Sequence, residues 1–356
     1  MENAKAKNHR SLWLELFKIF LFVCVAFIHV GYSKTFLYLA RVAVLMFFVI
    51  SGCYCYSPKK ENESDEEYYE RKLRSAKKKI ISMLKYIVFG YVVYYIRDII
   101  AGFILGKNLA EIFKGFFNAD LINSIFIDNH VHNSGGHMWF LLALLTDSII
   151  HYLLVKFRIE KAYFFLPLLI VVFFLFAVYL QLIEGDLVWG DMTRNGLFLG
   201  LPCWSLGFDV NYLITKYIKA KKQKIIVACI SLPLALLLFF LQLIEQKMLG
   251  FNAEAYISGF LSTPFFMAFF LICPSPNPKW YEFIFGKNLA FYAFIFHAGV
   301  GYALSDFGIG GPTKTWLVIA ISLALGILIN LIVILIKFIV RKIRKDDTSP
   351  MHLSVN

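Results

Sequence analysis

Charged residues are scarce in this sequence. They make up 17% of its 356 residues, whereas hydrophobic residues make up 59%. Soluble domains carry about 25% charged residues, and a soluble chain this apolar would expose large hydrophobic surfaces to water. The composition therefore excludes an ordinary soluble domain and places the chain in a lipid bilayer.

Cysteine is also sparse, and its spacing excludes two kinds of site. The six cysteines include no CxxC pair and fall mostly within apolar runs, where they serve as small packing residues. His130, His132 and His137 are close in sequence but lack a cysteine or carboxylate at metal-site spacing. We expect neither disulfides nor a bound metal.

Long apolar runs are what the sequence has in abundance. A helix needs about 20 apolar residues to cross a hydrocarbon core about 30 Å thick. Ten such runs lie near residues 12–32, 36–56, 80–105, 137–156, 163–183, 195–214, 225–245, 254–273, 288–306 and 315–338. The sequence predicts an all-α integral membrane protein, a bundle of about ten transmembrane helices over residues 12–340, between short tails at 1–11 and 341–356. The first run has no small-residue cleavage site after it, so we expect it to be retained as a membrane anchor.

The basic residues predict the orientation of this bundle. Lys and Arg cluster in the N-terminal tail and in the segments 57–79, 156–161, 216–224, 274–287 and 337–345. Because cytosolic loops carry the excess of Lys and Arg, we expect both termini in the cytosol of a multi-pass cell-membrane protein. We expect a solvated cytosolic loop over 57–79. The net charge of +12 then reflects topology, and no nucleic-acid partner is expected.

Ionisable residues within the first two apolar runs indicate a functional site. Lys18 and His29 are eleven residues apart, so on a helix they share one face at a separation of about 16 Å. That separation is comparable to an extended pantetheine arm. Two plainer interpretations remain open, in which Lys18 reaches toward the membrane surface beside Glu15 and His29 is a packing residue.

The pattern R-x4-E-x2-K-x10-H from Arg10 to His29, followed by the run RVAVLMFFVISGCY, resembles the opening of the membrane-bound acyltransferase-three family. The resemblance implies a ten-span enzyme that moves an acyl group, usually acetyl from acetyl-CoA, onto an extracytoplasmic carbohydrate or related acceptor. Lys18 and His29 fit the family's pattern of a basic residue, ten residues and a histidine. The sequence departs from the pattern at Glu15, where Asp is usual, and at Cys53, where a branched or aromatic residue is common.

The resemblance also implies roles for particular side chains. His29 is the expected base or acyl carrier, and the other members of the expected catalytic set are Lys18, Arg41, Ser51, His137 and His297. Guanidinium groups bind phosphates bidentately, so the RxxR element in the sequence RKLR, with nearby lysines, is the expected site for the acetyl-CoA donor. The expected donor-binding residues are Lys18, Arg71, Arg74, Lys78 and Lys79.

The acceptor is expected to bind outside the membrane. Trp139 lies in an H-x-W element that resembles the family's, and Glu184 and Asp191 lie in a polar external segment. Aromatic rings stack on sugar faces and carboxylates accept hydrogen bonds from hydroxyls. A solvated turn and an interfacial aromatic belt are the alternatives for these residues.

Two other classes of function remain open at this point. A secondary transporter or flippase of a lipid-linked glycan would also place charges inside spans, although the sequence shows no clear internal repeat. A membrane sensor or scaffold of a polysaccharide-export complex would explain the spans alone. The expected partners of the enzyme are acyl-CoA, an extracytoplasmic glycan, the lipid bilayer and, as an open question, a second copy of the chain.

Overall fold

The structure, a computed structural model, describes residues 11–104, 106, 108, 110, 137–171, 174, 195–249, 255–273 and 288–346. These residues form helices and turns and contain no strand. The α-helices are α1 Leu12–Val30, α2 Lys34–Ala40, α3 Val42–Cys53, α4 Asp65–Ile104, α5 Trp139–Lys156, α6 Leu201–Tyr217, α7 Lys221–Leu249, α8 Ile257–Ile272, α9 Leu289–Asp306 and α10 Gly311–Asp346. Short 3-10 segments follow α5, and a π-helical turn at Gly196–Gly200 leads into α6.

Within the described residues, seven helical segments are long and apolar enough to cross a membrane. They include α1, the joined α2 and α3, and the apolar part of α4. The protein is therefore an all-helical, multi-pass membrane protein. The expected count of about ten spans and the cytosolic position of the termini stay predictions, because α8 has only 16 residues and most of residues 163–183 lie outside the described part of the chain.

Helix α4 corrects one expectation from the sequence. Its 40 residues span about 60 Å, twice the thickness of a hydrocarbon core, so its basic first half projects beyond the bilayer as helix. We expected a loop over 57–79, but the helix begins at Asp65. Ser64 explains this start, because its hydroxyl accepts from the Glu67 amide while the Glu67 carboxylate accepts from the Ser64 amide, which is a capping box.

Two glycines set the packing of α3 against α6. A Cβ atom on Gly52 would lie 1.9 Å from the backbone oxygen of Trp204, and a Cβ atom on Gly207 would lie 1.9 Å from the backbone oxygen of Val49. Neither position has room for a side chain. The two backbones therefore touch, as is typical of helix pairs in membranes, and this contact fixes the position of α3 within the core.

The functional side chains lie where α1, α4, α5 and α9 meet. Helix α1 packs against α9, and α4 contacts both α5 and α9. The inner faces of these helices supply much of the hydrophobic core, including Phe22, Phe140 and Phe294. Polar groups from four separate stretches of sequence are thereby brought together inside the membrane domain.

Candidate functional site

Three histidines from distant parts of the sequence converge. His29 is near the end of α1, His137 immediately precedes α5, and His297 is in the middle of α9. The ring centroids of His29 and His297 are 5.1 Å apart, those of His137 and His297 are 4.9 Å apart, and those of His29 and His137 are 6.1 Å apart. His137 and His297 are buried, whereas His29 is exposed. The three rings form what we call the histidine cluster.

One contact of His297 indicates which of its ring nitrogens carries the hydrogen. Its Nδ1 contacts the backbone oxygen of Phe294, and a carbonyl oxygen only accepts. Nδ1 therefore carries the hydrogen of the neutral ring. Nε2 of His297 is buried, has no hydrogen-bond partner among the described residues, and presents an acceptor lone pair.

The contacts of the Tyr94 hydroxyl indicate which ring nitrogen of His137 carries the hydrogen. The hydroxyl of Tyr94 lies 2.9 Å from His137 Nε2 and 2.5 Å from the backbone oxygen of Ile295. A hydroxyl has one hydrogen to donate, and the carbonyl of Ile295 must receive it. His137 Nε2 is therefore the donor to Tyr94, and His137 Nδ1 is left as a buried acceptor without a partner in the described part of the chain.

The two buried histidines thus offer proton acceptors at the cluster. Each neutral ring has its single N–H committed to a protein acceptor, so neither can donate to an oxyanion until it gains a proton. Each can accept a hydrogen bond or a proton from a hydroxyl group. This arrangement favours a role in moving protons over a role in binding negative charge.

At the other end of α1, Lys18 borders a cavity. Its ammonium lies 2.6 Å from the Glu15 carboxylate, and the two side chains are only 16% and 8% exposed. The cavity measures about 180 Å³, and Lys18, Ser51, Tyr86 and Asn288 supply its polar groups among mostly apolar walls. Because Lys18 and His29 share one continuous helix, about 16 Å of helix axis separates them.

Aromatic side chains separate this cavity from the histidine cluster. Phe140 and Phe294 line the cavity, and their ring centroids are 5.5 Å apart. The Phe294 ring also lies 5.5 Å from His137 and 5.4 Å from His297. Phe294 therefore lies between the cavity and the two buried histidines.

The basic residues expected to hold the donor lie in different surroundings. Arg71 donates to the Glu63 carboxylate at 2.6 and 2.8 Å, and also to Ser57 and to the backbone oxygen of Pro58. The Arg71 hydrogen bond lowers the pKa of Glu63 to about 2. The side chain of Arg74 is 68% exposed.

The two arginines share a surface cleft of about 580 Å³. Arg71 serves there as an anchor for the segment that leads into α4.

Lys79 connects this basic surface with the cavity. Its ammonium donates to the backbone oxygen of Ser51 at 2.7 Å and lies 4.3 Å from the ring centroid of Trp204. Ser51 is itself a cavity residue. Lys78, one position earlier, is exposed. Of these two lysines, only Lys79 is therefore placed beside the cavity wall.

The remaining predicted residues are more scattered. Arg41 is buried at the junction of α2 and α3. Trp139 is half-buried, with its ring 6.5 Å from that of Phe48 and 6.2 Å from that of Phe140. Glu184 and Asp191, the other expected acceptor residues, lie outside the described residues, as do His130 and His132.

The sequence did not single out Tyr94, Phe294 or Asp147. Tyr94 is one of 19 tyrosines and Phe294 one of 37 phenylalanines, so nothing in the pattern distinguishes them. Asp147 was a detectable signal, because it is a carboxylate within an apolar run. It is fully buried in α5, and its carboxylate oxygens have no hydrogen-bond partner among the described residues.

No group of three or more His, Cys, Asp or Glu side chains within the described ranges is arranged to hold a metal ion. The side chains that the structure gathers here are imidazole rings, an ammonium group and hydroxyls. A membrane-embedded cluster of histidines, joined by one helix to a lysine-bordered cavity, is suited to general acid–base or nucleophilic chemistry.

Comparison with known families agrees with this class of protein, a multi-pass membrane enzyme that transfers acyl groups. The acyltransferase domain of the acyltransferase 3 family matches residues 11–335, nearly the whole chain. This protein belongs to that family. No curated protein and no solved structure matches the chain.

Proposed function

We propose that the protein moves an acetyl group from cytosolic acetyl-CoA to a hydroxyl of an extracytoplasmic carbohydrate or other cell-envelope acceptor in the cell membrane. The observation that carries this proposal is the placement of Lys18 and His29 on one helix. Lys18 borders a cavity, and His29 is in a cluster of three histidines. The distance between the two positions suits a pantetheine arm with phosphate at one end and thioester at the other.

In the proposed reaction, basic side chains bind the phosphates of the acetyl-CoA donor. The Lys18 ammonium meets a phosphate of acetyl-CoA at the cavity, and Lys79 adds positive charge beside Ser51. Arg71 and Arg74 capture the nucleotide part of the donor at the surface cleft, where Arg71 must exchange its bond to Glu63 for a bond to phosphate. The pantetheine arm then passes the Phe294 ring to bring the thioester to the histidine cluster.

The transfer step uses the histidines. In the direct route, the acceptor oxygen bonds to the acetyl carbonyl carbon, the carbon–sulfur bond breaks, and the acceptor proton moves to an imidazole nitrogen. In the covalent route, His29 first displaces CoA and carries the acetyl group until the acceptor attacks it. Both routes need a proton acceptor beside His29, and the cluster supplies two.

Acetyl-CoA turnover by the purified protein in liposomes tests the proposal. With glucose supplied as the acceptor probe, we expect the native chain to release CoA from acetyl-CoA. We expect His29→Ala to abolish the release while its unfolding temperature stays native. Leu16→Ala is the matched control, because Leu16 is exposed on the same helix. Label retained on native protein and absent from His29→Ala would select the covalent route. A His29→Ala variant as active as the native chain would overturn the proposal.

A further inference from the structure

We propose that Tyr94 is a positioning residue that holds His137 as a proton acceptor at the histidine cluster. The inference rests on the proposed acyl transfer and adds to it the residue that determines which nitrogen of His137 receives the acceptor proton. Tyr94 is in α4 and His137 precedes α5, whereas the two backbone partners of the Tyr94 hydroxyl are in α9. One hydroxyl therefore connects three segments of the chain.

The Tyr94 hydroxyl is inserted into a turn of α9. It donates to the backbone oxygen of Ile295 at 2.5 Å and accepts from the backbone amide of Gly299 at 3.3 Å. Ile295 and Gly299 are i and i+4, the positions that a regular helical turn joins to each other. His297 lies between them in the same turn. Tyr94 therefore also fixes the segment of α9 that carries the second buried histidine.

The geometry leaves Tyr94 little freedom. The residue is 4% exposed, and its ring centroid lies 4.9 Å from that of His137 at an interplanar angle of 63°. The hydroxyl donates its hydrogen to Ile295 and accepts from Gly299 with one lone pair. Its remaining lone pair accepts from His137 Nε2. A buried hydroxyl with all its bonding capacity used holds its neighbours in a single arrangement.

This arrangement determines what His137 does in the transfer. The acceptor oxygen bonds to the acetyl carbon as the bond from that carbon to the CoA sulfur breaks, and the hydrogen on that oxygen moves to Nδ1 of His137. CoA leaves as the thiolate, which takes up a proton on release. The ring then becomes an imidazolium whose Nε2–H remains bonded to Tyr94. Tyr94 keeps its own hydrogen throughout, because that hydrogen stays on the bond to Ile295. Tyr94 thus orients the base and supports its cationic form without gaining or losing a proton.

Tyr94→Phe tests the inference, since it keeps the ring and removes only the hydroxyl. We expect kcat to fall about ten- to a hundredfold, the effect of one hydrogen bond to a group that becomes charged, while KM for acetyl-CoA stays within about twofold. Tyr91→Phe is the matched control. Tyr91 is on the same helix, and its buried hydroxyl has no hydrogen-bond partner among the described residues. The control is expected to keep native kcat and KM.

Nitrogen NMR of histidine-labelled protein gives a readout that a purely structural role would not change. We expect His137 in the native chain and in Tyr91→Phe to carry its hydrogen on Nε2, and in Tyr94→Phe to populate both neutral forms. A native His137 that carries its hydrogen on Nδ1 overturns the inference even if Tyr94→Phe fails to fold. Native turnover with an unaffected Tyr94→Phe also overturns it. Absence of turnover in the native chain instead overturns the proposed function.

Discussion

Replacing both members of the Lys18–Glu15 ion pair tests the role of Lys18 in donor binding. The ammonium lies 2.6 Å from the Glu15 carboxylate, and both side chains are largely shielded from solvent. Lys18→Met alone would take away the cation that Glu15 contacts, and breaking a buried pair costs about 3–5 kcal/mol of folding free energy. The combined variant Lys18→Met with Glu15→Gln removes both charges and avoids most of that cost.

The expected effect on donor binding follows from a single charged contact. A hydrogen bond between an ammonium and a phosphate contributes about 1.5–3 kcal/mol, and each 1.4 kcal/mol changes an equilibrium constant tenfold. We therefore expect the double variant to raise KM for acetyl-CoA about ten- to a hundredfold. Because the phosphate does not take part in the chemical step, kcat should stay within about twofold of the native value.

The assay compares two donors. With acetyl-CoA, CoA release by reconstituted native and double-variant protein gives kcat and KM. With S-acetylpantetheine, which lacks the phosphates, the two proteins should have the same KM, because Lys18 has no phosphate to contact. A KM shift of equal size with both donors would refute the assignment of Lys18 to phosphate, and so would an unchanged KM for acetyl-CoA.

Three further substitutions and one change of pH test other parts of the proposal. Leu144→Trp should fill much of the cavity of about 180 Å³ and raise KM for acetyl-CoA, measured by CoA release. Glu63→Gln should free Arg71 and tighten acetyl-CoA binding, measured by isothermal calorimetry. Because Arg71 lowers the Glu63 pKa to about 2 from an ordinary value of 4.5, the Lys60 amide, which donates to the Glu63 carboxylate, should lose its protection from hydrogen exchange only as pH falls from about 4.5 toward 2. Gly52→Ala should lower the unfolding temperature, since its Cβ would overlap a backbone oxygen of α6 and such overpacking costs about 1–3 kcal/mol.

Each of these changes has a control or a contrary result. Leu153→Trp adds the same side chain at an exposed position on α5 and should leave KM unchanged. Gly310→Ala is the control for Gly52→Ala and should leave the unfolding temperature unchanged, because no atom lies near its Cβ. Unaltered affinity in Glu63→Gln would argue that Arg71 only anchors its segment. An unchanged KM in Leu144→Trp would place the donor elsewhere.

Local periodicity predicted the part of the site that lies on one helix. Lys18 and His29 are both in α1, as predicted, so helical geometry alone fixes their relative positions. Their joint role at a site stays a prediction. The start of α4 was predictable in principle. Ser64 and Glu67 form the Ser-x-x-Glu signature of a capping box, but the density of charge in 57–79 indicated a loop instead.

The sequence pattern could not predict the contacts between helices. His137 and His297 were expected at the site through family resemblance, and no spacing in the chain determines that their rings lie 4.9 Å apart. Tyr94 is 43 residues from His137 in the sequence, and their contact depends on how α4 packs against α5 and α9. The bond of Arg71 to Glu63 likewise depends on how the segment before α4 folds back.

Transfer of the acetyl group between the two sides of a membrane is the decisive test of the proposed reaction. Sealed vesicles would contain the protein in one orientation, with labelled acetyl-CoA on the face that bears the α4 basic segment and concentrated glucose as the acceptor probe on the opposite face. We expect acetylated glucose across the membrane, CoA retained on the donor side, and neither product with His29→Ala. Donor consumption with all acetyl product on the donor side, or full transfer by His29→Ala, would contradict it.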